Sequence, residues 1–382
     1  MYDNITDTDI NELIDFLKIK PIPKLTNGPK VIEFEKKWSE WLGVKHSVLV
    51  NSGSSANQLT MLGLKYQYGK CDIIVPPLTW VSDIASVLQN GHNPIFVDIN
   101  LNNLSFNITE LKKKLTPNTR AIFLTHVLGL NGLTDELLDL CNEKNILLIE
   151  DVCESHGTTF KNRKVGSYGF ASNFSFYFAH HMSTIEGGVV CTNDDKFYQL
   201  MRSFRSHGML RECTDENFKK TVTDSYMYLN KDFIFLSPAY NFRSTEINAV
   251  IGLSQLKNLD NNNEIRRKNF NYFISKLDKT KYFTEFNMEG QCNYAFIVIL
   301  KDGNLDKRNL VEKTLSENKI EFRRGCSGGG NQTLQPYMKS FAIDQKELPV
   351  MNHVHSFSWY IGNYPQLELE KIDRLCSILN NV

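Results

Sequence analysis

Between residues 47 and 149 the chain repeats one arrangement five times: a short apolar run suited to a buried strand, with room for a helix before the next run. The runs are Ser47–Val50, Ile73–Pro76, Pro94–Val97, Ala121–Leu124 and Ile146–Ile149. Segments of helical character, Ile108–Leu115 and Thr134–Asn142, separate the later ones. Strands alternating with helices predict βαβ units and a mostly parallel sheet sandwiched by helices, an α/β fold. In such sheets ligands sit beyond the carboxyl ends of the strands, and the chemically informative residues of this chain follow strand ends.

The flanks define the organisation. Ile10, Leu13, Ile14 and Leu17 recur at helical spacing before Pro21 and Pro23, giving an N-terminal arm over residues 1–24. Val31, Phe34, Trp38 and Trp41 mark a second helix that Gly43 ends. Lys196–Ser203 and Ile247–Leu259 also read as helices. From about residue 260 the composition changes: Asn261-Asn-Asn263 and Arg266-Arg-Lys268 start a long helix, and strands are expected near Tyr294–Leu300 and Ile320–Arg324. The expected division is a large domain over 25–258 and a small α+β domain over 259–382.

The 382 residues carry 43 basic and 43 acidic side chains, so net charge gives no reason to expect nucleic acid or a membrane surface as partner. No apolar run approaches the ~20 residues of a membrane span. The N-terminus is polar and acidic, unlike a secretory signal. The eight cysteines are scattered without a C-x-x-C pair and read as reduced thiols, so a cytoplasmic location is expected. His353 and His355 form an H-x-H with no third ligand at metal spacing, and no metal site is assigned.

Asn51-Ser-Gly-Ser-Ser-Ala-Asn57 joins a strand to a helix start through small residues, which is the arrangement of an anion site. Glu150-Asp-Val-Cys-Glu-Ser-His156 follows the fifth run, and Trp80 follows the second. Further on stand Phe174-Ser-Phe-Tyr-Phe-Ala-His-His-Met-Ser-Thr-Ile-Glu-Gly-Gly-Val-Val-Cys191, then Arg205-Ser-His-Gly208, then Phe235-Leu-Ser-Pro-Ala-Tyr-Asn-Phe-Arg-Ser-Thr-Glu246.

Together these motifs resemble the DegT/DnrJ/EryC1/StrS sugar aminotransferase family, which has the fold-type I, aspartate aminotransferase-like fold of pyridoxal-phosphate enzymes. The resemblance runs from about Gly28 to the end and is most specific between residues 51 and 246. It implies pyridoxal or pyridoxamine 5′-phosphate as cofactor. Ser54, Ser55 and Ser175 would meet its phosphate, Trp80 its ring face and Asp151 its pyridine nitrogen, with Glu154 also in the cofactor site. Asn241 would reach across a homodimer interface to the neighbour's phosphate.

One position departs from the aminotransferases. His180 stands where the family keeps the lysine that carries the cofactor covalently, and an imidazole has no primary amine to condense with the aldehyde. The family's 3-dehydrases of 3,6-dideoxysugar biosynthesis have histidine there, and the R-x-H-G around His207 resembles theirs. Histidine, with an ordinary pKa near ~6.5, suits a base placed where a transaminase keeps its lysine. The resemblance thus implies removal of the C3 hydroxyl from a nucleotide-linked 4-keto-6-deoxyhexose, with His180 and His207 catalytic and L-glutamate as amine donor. A second dehydrase branch carries an iron–sulfur cluster. This chain has no C-x-C and Cys213 stands alone, so no cluster is expected. The branch acting on GDP-4-keto-6-deoxymannose fits better. Two alternatives remain: a nucleotide-sugar 4-aminotransferase, which needs an amine at position 180 or a substitute, and a catalytically silent subunit, which has no need of Asp151, Trp80, Ser175 and Asn241 together.

Overall fold

The computed structural model describes residues 4–382. Thr6 and Asp9 cap each other at the start of the first helix, Asp7–Lys18, which packs on the helix Glu246–Leu256. The second helix, Pro29–Leu42, has no side-chain cap of its own and ends at Gly43, in the left-handed region. Glu246 supplies the missing cap from 218 positions away in the chain: its carboxylate accepts from the N–H groups of Gly28, Lys30 and Val31 at 2.9–3.0 Å.

The five predicted runs form strands at His46–Val50, Asp72–Val75, Asn93–Phe96, Thr119–Thr125 and Leu147–Asp151. Two more, Ala171–Ser175 and Gly188–Thr192, complete a seven-stranded sheet. Across the sheet the order is His46–Val50, Gly188–Thr192, Ala171–Ser175, Leu147–Asp151, Thr119–Thr125, Asp72–Val75 and Asn93–Phe96. Gly188–Thr192 alone runs against its neighbours; the other pairings are parallel. Apolar side chains pack on both faces, Phe34, Trp38, Phe174 and Phe176 on one and Leu59, Met61, Phe197 and Met201 on the other. The mostly parallel, helix-covered sheet is therefore the fold the sequence pattern predicts.

Beyond the long helix Leu259–Lys276, a three-stranded sheet joins Ala295–Ile299, Ser358–Gly362 and Arg323–Arg324. Its core includes Phe273, Phe296 and Trp359 and continues into Leu78, Val127 and Leu130 of the first part. The strand expected over Ile320–Arg324 shortens to its last two residues, and Ser358–Gly362 supplies the central strand. Between the large-sheet strands and the helix Glu246–Leu256 lies the helix Glu216–Ser225, none of whose residues is buried.

Candidate active site

The turn after the first strand is a cradle whose shape depends on missing side chains. Ser52 caps the helix Gly53–Tyr68, its hydroxyl accepting from the Ser55 N–H. A Cβ on Gly53 would lie 2.6 Å from the Ser175 Cβ and 2.9 Å from the Cys153 sulfur. One on Gly188 would lie 2.3 Å from the Ser52 carbonyl oxygen. The Glu186-Gly-Gly188 segment thus lets the turn approach the sheet, leaving a helix N-terminus open to an anion. Ser54 is exposed and lines the cavity in front of this turn. Ser55 is buried, and its hydroxyl donates to Asn51 Oδ1 at 2.5 Å. It shapes the turn and is not among the residues lining the cavity.

The cavity holds about 780 Å³, and Ser54, Trp80, Asp151, Glu154, Ser175 and His180 all line it. Asp151 ends the strand Leu147–Asp151. Its Oδ1 accepts from the Cys153 N–H at 2.9 Å and its Oδ2 from Asn57 Nδ2 at 3.0 Å. Its neighbour Glu150 is fully buried and accepts from the N–H groups of Gly166, Tyr168 and Gly169, which fixes the strand end. Asn57 also bonds Asp83 Oδ1 at 2.6 Å. Burial, and then the nearby Asp151 carboxylate, push the Asp83 carboxyl well above the usual range. Trp80 precedes the helix Val81–Gln89 and is 51% exposed, a ring face open to the cavity.

His180 follows the strand Ala171–Ser175 by five residues. Its Nδ1 donates to the Ser175 carbonyl at 3.2 Å, which leaves Nε2 with the lone pair. Burial pushes its pKa down to about 4, offset in part by that carbonyl and by Asp151. At neutral pH it is an uncharged base. Behind it, His181 Nε2 donates to the Cys292 carbonyl at 2.8 Å. His156 is fully buried among Trp38, Phe174 and Phe176, with neither ring nitrogen bonded.

His207 and Asn241 do not line this cavity. They lie together elsewhere: Ser206 and Asn241 form a β-bridge, and the His207 N–H donates to the Tyr240 carbonyl at 2.9 Å. His207 has φ +63° and Gly208 +83°, and a Cβ on Gly208 would meet the Ser237 carbonyl oxygen at 2.1 Å. Asn241 is exposed, its Oδ1 accepting from the Arg243 N–H at 3.1 Å.

The glycine-rich segment 325–332 is tied down on the cavity wall. Ser327 donates to Glu154 Oε1 at 2.7 Å, the Gln332 N–H donates to Pro77, and Gly325 donates to Ser358. Glu154 also accepts from the Leu128 N–H at 3.0 Å. Burial raises its carboxyl to about 7, against the lowering effect of those two donors. His353 and His355 lie on the helix Pro349–Phe357, one bonded to the Leu300 carbonyl and the other to the Asn331 N–H.

Sequence reading did not single out Asn57, Asp83, Arg266 or Asn4. Asn57 stood within the quoted turn, six residues past its start, and carried the one available signal. The others approach the cavity only through tertiary packing.

A helix N-terminus for an anion, a carboxylate at a strand end, an open indole face and an uncharged imidazole in one cavity suit a pyridoxal-phosphate site of the aminotransferase fold. The DegT/DnrJ/EryC1/StrS aminotransferase family matches residues 4–380, and the chain belongs to it. Among its relatives, the GDP-4-keto-6-deoxy-D-mannose 3-dehydratase of Escherichia coli O55:H7 is 33% identical, the match covering 93% of this chain and 92% of that one. The protein of the same name from Yersinia pseudotuberculosis is 32% identical, with 97% and 96% covered. A solved GDP-4-keto-6-deoxymannose-3-dehydratase with a trapped PLP-glutamate geminal diamine superposes with TM-score 0.88 at 28% identity, covering 99% of this chain and 98% of that one.

Proposed function

We propose that this chain is a pyridoxal/pyridoxamine phosphate-dependent sugar 3-dehydratase. It removes the C3 hydroxyl of a nucleotide-linked 4-keto-6-deoxyhexose in dideoxysugar biosynthesis, and GDP-4-keto-6-deoxy-D-mannose is the substrate its named relatives point to. The observation that carries the reading is His180, an uncharged imidazole in the cavity that Asp151, Trp80 and the Ser52–Ser54 turn share. When bound, the cofactor supplies an amine for the sugar's keto carbon and a ring that takes up electrons.

The chain's own residues do the rest. The N–H groups at the start of Gly53–Tyr68, with Ser54 and Ser175, would hold the phosphate, and Ser55 keeps their turn in shape. Asp151, fixed by Asn57 and the Cys153 N–H, would offer its negative charge to the cofactor's protonated pyridine nitrogen. Trp80 would cover one face of the ring, and Glu154 completes the cavity wall beside it. His180 takes a proton at Nε2 while Ser175 holds Nδ1–H in place. Replacing the C3 hydroxyl by hydrogen consumes two electrons. L-Glutamate supplies them, leaving as 2-oxoglutarate with release of ammonia.

With no amine at position 180, the cofactor stays uncoupled from the chain. Borohydride reduction of the pyridoxal-phosphate protein is expected to leave no cofactor on any peptide by mass spectrometry; a stable adduct on a lysine contradicts the reading.

The working unit we propose is a homodimer. Asn241 lies outside the cavity of its own chain and would complete the neighbour's phosphate site. His207, bonded to the same loop, would travel with it. Tyr240 and Phe235, 76% and 52% exposed, give this region apolar surface to cover. Cofactor affinity is then expected to fall on dilution to monomer and in Asn241→Ala, measured by fluorescence titration; a monomer that binds cofactor equally well contradicts it. Residues 259–382 are proposed as the small C-terminal domain, with 25–258 as the cofactor domain and 1–24 as an arm. The unpaired cysteines suit a cytoplasmic enzyme, and no described helix is long and apolar enough to cross a membrane.

A further inference from the structure

Two arginines of this chain are almost wholly buried, and they are treated differently. Arg205 is matched to Glu35 at 2.5 Å. Arg266, on the helix Leu259–Lys276, is 2% exposed and lines the active cavity, yet it has no carboxylate partner among the described residues. Its Nη1 donates to the Asn363 carbonyl, its Nη2 reaches the Asn4 carboxamide oxygen at a long 3.4 Å, and its Nε has no partner. The groups beside it that favour its charge are the Cys292 thiol and the Tyr294 phenol, both of which burial holds in the neutral form at neutral pH. Burial lowers its own pKa to about 10, so it remains a cation. A buried charge left without a counter-charge is costly. At the wall of a ligand cavity, it marks the place of an anion that the ligand brings.

We propose that Arg266 receives the α-carboxylate of the amino-acid donor, an inference that rests on the reading of the chain as a glutamate-dependent dehydratase. Two other anions belong to this site, and each has its own place. The cofactor phosphate is met at the Ser52–Ser54 turn. The diphosphate of a nucleotide has Lys319, Lys371 and Arg374, all exposed, along the outer part of the lining. Arg266 instead lies one side chain from the base: Asn4 accepts from Arg266 and donates to the His180 carbonyl. The donor's nitrogen must be delivered beside His180, and its α-carboxylate is then two bonds away. That carboxylate displaces the neutral, distant amide oxygen of Asn4 and gains a charge-assisted bond.

The test starts with the unaltered pyridoxal-phosphate protein, whose conversion to the pyridoxamine form is followed by absorbance. L-Glutamate, L-glutamine and the α-amide of glutamate are compared. Half-saturation is expected to rise by about 10–100-fold for the α-amide, the usual weight of a hydrogen bond to a charged group, and by less for glutamine. In Arg266→Gln the value for glutamate is expected to rise by a similar factor and the discrimination against the α-amide to vanish, with Arg266→Lys between. Equal saturation by glutamate and its α-amide in the unaltered protein overturns the proposal, even if the variants do not fold. So does an Arg266→Gln protein that loses affinity for GDP and keeps it for glutamate. Pyridoxamine phosphate supplied directly with the keto sugar tests the underlying reading separately: no dehydration there refutes the dehydratase, whatever Arg266 does.

Discussion

His180→Asn is expected to lower 3-dehydration by about 10²–10⁴-fold, the usual contribution of a positioned general base, while cofactor still binds. Asparagine can keep the hydrogen bond to the Ser175 carbonyl that Nδ1 now makes at 3.2 Å, so the local structure has a substitute donor. It has no basic nitrogen to replace Nε2. His180→Lys should behave in the opposite way toward the cofactor: the new primary amine captures it, and borohydride then leaves an adduct at position 180. The pH profile carries a sign as well. His180, with its pKa lowered to about 4, is lost as a base only in acid well below 6.5. His156 and His181 are held low by burial too. All three take up protons on unfolding between their folded values and 6.5, so stability is full above 6.5 and falls as pH drops toward 4. Urea unfolding at pH 7.5 and 5 should show that loss. A rate for His180→Asn equal to the native one would move the base to His207.

Glu35→Ala is expected to cost about 3–5 kcal/mol of stability, the penalty for stranding a buried charge. Glu35 is 6% exposed and accepts from Arg205 Nη1 at 2.5 Å and from the Leu49 N–H at 2.8 Å. Arg205 also donates to the Leu49 carbonyl at 3.1 Å. Removing the carboxylate leaves a guanidinium at 1% exposure facing a neutral gap. Glu35→Gln keeps an acceptor and should lose less. The pair also anchors the segment that runs into His207, so the effect reaches the proposed shared site. Denaturant unfolding of the two variants measures it, and a loss under 1 kcal/mol for Glu35→Ala would show that the pair contributes little.

The fold was legible where strands are continuous apolar runs, as at Ile73–Val75 or Ala121–Leu124, and where caps stand at helix ends, as at Gly43. It was not legible at Ala171–Ser175, because Ser172, Asn173 and Ser175 are polar residues buried in the sheet interior. Asn173 accepts there from Thr60 at 2.8 Å, a partner 113 residues away that no local pattern reveals. Ser358–Gly362 was missed because it follows the helix Pro349–Phe357 without a turn residue. In the site, Ser54, Trp80, Asp151, Glu154, Ser175 and His180 could be named because family motifs place them. Asp83 and Arg266 could not, since each owes its unusual character to burial and to neighbours that only the folded chain brings beside it. The four glycines within 325–332 say nothing of what holds that loop, which is fixed by bonds from Ser327 to Glu154 and from the Gln332 N–H to Pro77.

The most direct measurement mixes the purified protein with pyridoxal phosphate, L-glutamate and GDP-4-keto-6-deoxy-D-mannose, and follows the sugar by mass spectrometry and ammonia by a coupled assay. The expected products are a 4-keto-3,6-dideoxy sugar, one ammonia and one 2-oxoglutarate per turnover. A 4-amino-4,6-dideoxy sugar that retains its C3 hydroxyl, formed without ammonia, would contradict the dehydratase reading.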